Sequence, residues 1–257
     1  MNTMKILLAV LAVFILGCVI FFMYKQNITD DYIAETYETE PAPTPTPTPE
    51  PAPEPIIEII PLPEPTPTPF TPTFTSEPIP PHIKELITGV SFHDHAPFDY
   101  CFLAYLTITH VDFNGEYQKG NMIVAAEIGE EVLDIFQEIF QHRFPIYSMR
   151  LIDFYDASDY LSMAANNSVA FNFRTIAGTD RLSRHAFGKA IDINPIQNPY
   201  IRGDTIWPAA GAEYLNREYI RPGMITKGCP VYTAFTSRGW RWGGDWRSPR
   251  DYHHFER

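Results

Sequence analysis

The sequence predicts an α+β domain over residues 82–257, and three observations carry that prediction. Apolar residues recur at helical spacing between Val124 and Arg143. A strictly alternating run follows at Ala190–Asn194. All four Trp and most Tyr and Phe fall in this part of the chain, enough to build a core. In the helical segment, Ile128, Val132, Ile135, Phe136, Ile139 and Phe140 form one apolar stripe, the mark of a helix with one buried face. Phe144-Pro145 ends it, because proline has no N–H and its ring clashes with the preceding turn. Ile146 to Phe154 reads as extended. In Ala190–Asn194, Ile191 and Ile193 share one face of a strand, while Ala190, Asp192 and Asn194 share the other. Pro195 closes the strand. A helix followed by strands favours α+β over an alternating α/β chain.

The first third of the chain is of another kind. Of the 25 prolines, 17 lie between Pro41 and Pro81. Residues 27–81 hold ten of the carboxylates and no Lys or Arg, so the net charge of −12 is concentrated there and only −4 remains for 82–257. Proline alternating with Thr, Ala and Glu favours an extended, disordered linker, and like charges stretch it further. Ile6 to Tyr24 is an apolar run bracketed by Lys5 and Lys25. Nineteen such residues, at about 1.5 Å each, match a hydrocarbon layer of about 30 Å. Ile15-Leu16-Gly17-Cys18 loosely resembles a lipoprotein cleavage site, but the apolar run continues past Cys18. An uncleaved signal anchor therefore fits better. The expected organisation is an N-terminal transmembrane anchor (1–26), a linker (27–81) and a catalytic domain (82–257) outside the cell.

Composition also excludes. There is no basic field to hold nucleic acid. The three cysteines, Cys18, Cys101 and Cys229, form no CxxC pair, so a thiolate zinc site is unsupported. Cys101 and Cys229 are either one disulfide or two buried free thiols. Two segments gather imidazoles and carboxylates instead: Ser183 to Asp192 and Asp251 to Glu256. Zinc takes His nitrogen and Asp oxygen, and a catalytic zinc keeps three protein ligands. Asp192, in a strand, needs a cation or donors. Gly188 allows the chain to bend so that His185 and Asp192 converge. The third ligand then comes from Asp251–Glu256.

The run Asn172-Phe173-Arg174, Ala177-Gly178-Thr179, Ser183 to Asp192, Asn194-Pro195 and Asn198-Pro199-Tyr200 resembles the D-alanyl-D-alanine carboxypeptidase (VanY-type) metallopeptidase family. So do Trp242-Gly243-Gly244-Asp245-Trp246, Asp251 and His254-Phe255-Glu256. The resemblance implies a fold shared with hedgehog N-terminal domains and lysostaphin-type peptidases: a small antiparallel sheet with flanking helices. It implies zinc held by His185, Asp192 and His254, with Asp251 as acid and base. It also implies that Arg174 and Ser183 hold substrate, with Arg174 supporting the developing oxyanion. The implied substrate is a peptidoglycan stem peptide on the cell-wall side of the membrane. The bond cut is D-Ala-D-Ala, or L-Ala-D-Glu in related enzymes; a non-catalytic wall-binding module is the other alternative. The family often has Pro before its last ligand, where this chain has His253. If Asp251 and His254 are to serve one site, the chain must turn between them, because strict alternation would pair Asp251 with His253. An HxH pair such as His93-Asp94-His95 can bind metal, but it lies outside the family pattern; His82, His110 and His142 read as ordinary surface or boundary residues.

Overall fold

The computed structural model describes residues 70–257, so the anchor expected at 1–26 and most of the linker lie outside the described residues. Among the described residues no helix is long and apolar enough to cross a membrane. The architecture is α+β. It begins with strand β1 (Phe74–Pro78) and helix α1 (Pro81–Ile87), then the hairpin β2 (Leu103–Val111) and β3 (Tyr117–Ala125), then helix α2 (Gly129–Gln141). These three strands form an antiparallel sheet in the order β1-β2-β3.

Two expectations are corrected here. β1 lies inside the stretch read as linker. Its Phe74 packs edge-on against Phe140, and Ile79 just beyond it is buried, so the folded part starts before residue 82. Strands also precede the main helix, because the β2–β3 hairpin closes on the turn around Asn114-Gly115.

The amphipathic stripe does form a helix, but a shorter one. Val124 and Ala125 belong to β3, where they pair with Ala104 and Leu103. α2 begins at Gly129, with Glu130 and Glu131 in the first turn, where negative charge complements the helix dipole. Its buried Val132, Leu133, Ile135, Phe136 and Ile139 lie in one core cluster with Leu106 and Ile108 of β2. Beyond Gln141 the chain leaves the helix through Arg143 at φ 51°. Ile146–Phe154 is extended only at β4 (Ser148–Met149). Ile152–Tyr155 winds into a 3-10 turn, which buries Ile152 and Asp153.

The second half carries α3 (Asp159–Ala164), β5 (Asn167–Ser168), β6 (Ala190–Asp192), β7 (Tyr200–Arg202), β8 (Thr205–Trp207), α4 (Pro230–Thr236), β9 (Arg241–Trp242), β10 (Arg250–Asp251) and β11 (His254–Glu256). Two small antiparallel sheets matter for function, in the orders β6-β11-β9 and β10-β7-β8. The central strand β11 turns Phe255 into the core, fully buried and stacked on Phe235 at 4.2 Å. Cys101 and Cys229 are free thiols; Cys229 caps α4 by accepting from Tyr232 N.

Candidate metal centre

The site is built where β6 meets β11. His254 lies directly opposite Asp192 in this antiparallel pair, so their side chains leave the same face of the sheet. On β11 the neighbouring Phe255 points into the core, and Glu256 returns to the face of His254. Asp192 is also bridged on its other edge, exchanging backbone hydrogen bonds with Val169 at 2.8 and 3.0 Å.

His185 arrives from a 3-10 turn just before β6. Ser183 Oγ accepts from His185 N (3.2 Å), and His185 O accepts from Asn172 N (3.1 Å). Gly188 then reverses the chain at φ 63°, and its carbonyl accepts from Ala125 N (2.9 Å). A Cβ there would sit 2.5 Å from Ala125 N and 2.8 Å from Val124 C. Only glycine combines that conformation with that approach.

Two ring nitrogens and both oxygens of Asp192 converge as a result. His185 Nε2 is 3.2 Å from His254 Nδ1 and 3.3 Å from Asp192 Oδ2, and His254 Nδ1 is 2.9 Å from Asp192 Oδ1. All three residues are buried, and they are the one group of His, Cys, Asp or Glu among the described residues placed to hold a cation together. Tetrahedral zinc with bonds of about 2.0–2.2 Å needs donor separations of about 3.3 Å. The residues present therefore fit the ion. Their outer edges fit too. His185 Nδ1 donates to Ala170 O, and His254 Nε2 makes a long 3.4 Å contact with Glu256 Oε2. These partners hold a proton on the far nitrogen and leave the near one free for a metal.

Without a cation the cluster is an ion network. Burial alone would lower the His254 pKa, but hydrogen bonds to Asp192 and Glu256 outweigh it and raise it to about 10. For His253, burial is likewise outweighed by the charges of Asp251 and Asp192, giving about 9. Burial would raise Asp192, but the charges of His185 and His253 hold it well below the usual carboxylate range.

The chain does turn between Asp251 and His254. Asp251 on β10 pairs with Tyr200 of β7, whereas His254 on β11 pairs with Asp192, so Tyr252 and His253 span the switch from one sheet to the other. Gly243 permits this crossing, since a Cβ there would lie 2.6 Å from Asp251 O. His253 Nε2 sits 2.9 Å from Asp251 Oδ1 and 3.8 Å from Asp192 Oδ2, which links the two carboxylates.

The other expected residues fall as follows. Ser183 is buried, and its hydroxyl holds the backbone of His185. Arg174 makes an ion pair through Nε with Asp159, whose other oxygen accepts from Asn172 Nδ2 at 3.0 Å. Trp240 and Trp242 belong to the core, while Trp246 is half-buried with its ring 5.4 Å from that of His254. His93 and His95 stack on one another beside Phe173. His110 is buried, deeper than the surface or boundary position its sequence suggested. The supports that sequence reasoning missed are Ala170 O and the pairing of His253. The first is a backbone atom without a side-chain signature. The second depends on the switch between sheets.

Fold and site together define an α+β domain with a buried His-Asp-His group placed to hold a cation. Residues 177–257, which contain all three donors and Asp251, match the family described as D-alanyl-D-alanine carboxypeptidase, and this match supports the family read from the sequence and a hydrolase of that peptidase class. No curated protein and no solved structure matches the chain.

Proposed function

We propose that this protein is a zinc-dependent D-alanyl-D-alanine carboxypeptidase that trims peptidoglycan stem peptides outside the cell. The observation that supports this best is the convergence of the His185 and His254 ring nitrogens on the two oxygens of Asp192, with separations of 2.9 to 3.3 Å. It lies within a segment that matches a D-alanyl-D-alanine carboxypeptidase family.

When bound, zinc supplies a Lewis acid and brings the pKa of a coordinated water to about 7. The chain's own groups do the rest. Asp251, close to this cluster through His253, takes the proton of the attacking water and returns it to the leaving amine. Ser183 fixes the backbone of His185, and Trp246 covers one side of His254. Arg174 reaches the substrate by exchanging its Asp159 partner for a substrate carboxylate or the developing oxyanion, a bidentate geometry that guanidinium favours. The apolar run at residues 6–24 and the proline-rich stretch after it support a membrane anchor with a long spacer, with the catalytic domain on the cell-wall side.

The test is digestion of purified muropeptides by the full-length chain, analysed by mass spectrometry beside Asp251→Ala and His254→Ala. Free D-alanine released by the parent chain alone is the expected result. Cleavage between L-Ala and D-Glu would assign the endopeptidase reading instead. No cleavage by a zinc-loaded chain would leave a wall-binding module.

A further inference from the structure

We propose that His253 is a positioning residue that holds the Asp251 carboxylate in place for proton transfer, and is not itself a metal ligand. The inference rests on the zinc peptidase reading above for what Asp251 does, but the contact itself stands on geometry.

His253 is buried, with 3% of its surface exposed. Both edges of its ring are used. Nδ1 donates to Asn198 O at 2.7 Å, and Nε2 lies 2.9 Å from Asp251 Oδ1. The anchor at Asn198 is itself locked. Its Nδ2 donates to Gly223 O (2.9 Å), and its Oδ1 accepts from Ile225 N (2.7 Å) and Arg217 Nη2 (3.0 Å). Arg217 in turn donates to Gln197 O and Ile225 O and lies over the Tyr252 ring at 4.5 Å. The imidazole therefore cannot swing, and it presents one nitrogen to Asp251.

That contact is the one ion-pair partner of Asp251 among the described residues. Asp251 Oδ1 is buried, and the approach of Nε2 lies off the axis of a hydrogen bond. The contact thus fixes the Oδ1 side of the carboxylate, and proton transfer falls to its other oxygen, Oδ2. A ligand role fits less well, because both ring nitrogens are already engaged, Nδ1 by Asn198 O and Nε2 by Asp251, and the group placed to hold a cation is His185, Asp192 and His254.

The experiment compares the full-length chain with His253→Asn and His253→Gln. Asn can keep the bond to Asn198 O but is too short to reach Asp251; Gln can reach it. Zinc affinity is read by chelator competition, and kcat and KM on muropeptides. A fixed acid/base group contributes about 10²-fold or more to rate. The expected result for His253→Asn is zinc affinity and KM within about three-fold of the parent and kcat down about 10²-fold, with His253→Gln regaining at least about ten-fold of it. Loss of zinc in His253→Asn, an unchanged kcat, or Gln no better than Asn overturns the proposal. A second readout needs neither activity nor a variant at 253. The imidazole 15N resonances of His253 are compared between the zinc-free parent and Asp251→Asn. Nε2 should move and Nδ1 stay, and an unmoved Nε2 also overturns the proposal. A parent chain that binds no zinc and cuts no muropeptide sinks the peptidase reading, while the 15N shift still decides the contact.

Discussion

Two imidazoles set the pH behaviour of the cluster, and one of them, His254, is a proposed ligand. In the ion-free protein the His254 pKa is raised to about 10 from an ordinary 6.5, so the folded chain holds a proton there at pH 7. That proton contributes stability fully below about pH 6.5, and the contribution disappears as the pH rises through about 10. Zinc requires the unprotonated ring, so binding must release it. Titration calorimetry at pH 7, in buffers of unlike ionisation heat, should show about one proton released per zinc. Apparent affinity should then rise about ten-fold per pH unit across neutrality. Release of none would contradict the network. Arg174 gives a second test at this scale. Its pair with Asp159 is about one-third exposed on both sides, and exposed pairs contribute about 0–1 kcal/mol. Arg174→Ala should therefore leave the urea midpoint nearly unchanged while raising KM or lowering kcat at least about ten-fold, a transition-state loss of about 1.4 kcal/mol. Unchanged kinetics would make the residue structural. How far such roles are legible varies by residue. The bend required between Asp251 and His254 could be inferred, because strand alternation forbids a straight path. The partners that complete the site could not, because Ala170 O and Asn198 O are backbone atoms and carry no side-chain signal.

At the scale of elements, one glycine joins the two halves of the site. Gly188 ends the His185 turn and packs against the end of β3. Gly188→Ala adds a left-handed conformation, worth about 1 kcal/mol, to a clash with backbone that cannot step aside. Gly178 is a control, since it has φ 78° but nothing within 4 Å of its would-be Cβ. Gly178→Ala should cost about 1 kcal/mol and spare zinc affinity. Gly188→Ala should cost clearly more and weaken zinc at least about ten-fold, because His185 shifts with the turn. Urea titration and chelator competition read both, and equal costs would refute the argument. The stripe on α2 was visible because half-buried helices repeat at 3.6 residues. Strand β2 hid its period, because it is buried along most of its length on both faces. The Asn114-Gly115 pair was the available signal of that hairpin.

For the whole molecule, composition separates a proline-rich acidic stretch from an aromatic-rich domain, but it blurs where the domain begins. Prolines continue through Pro78, Pro80 and Pro81, yet the chain is already folded by Phe74. The reason is position in the sheet. β1 is an edge strand, where proline at the end of the pairing is tolerated, and Pro80 and Pro81 set the start of α1. A chain beginning at residue 82 would lose the buried Ile79 and the partly buried Phe74, the former worth about 1.5–3 kcal/mol and the latter less. It would also uncover the whole edge of β2, a template for pairing with other chains. Against a total stability of about 5–15 kcal/mol this is a large fraction. A chain beginning at residue 70 should therefore unfold cooperatively in urea as a monomer. One beginning at residue 82 should lose about 2–4 kcal/mol and associate on a sizing column. Equal midpoints for the two would mean that β1 decorates the domain and does not complete it. The difference also bears on α2, since a Cβ built on Gly129 at its start would meet Ser76 Oγ of β1 at 2.9 Å. With β1 gone, α2 loses one of the strands it packs against, beside β2.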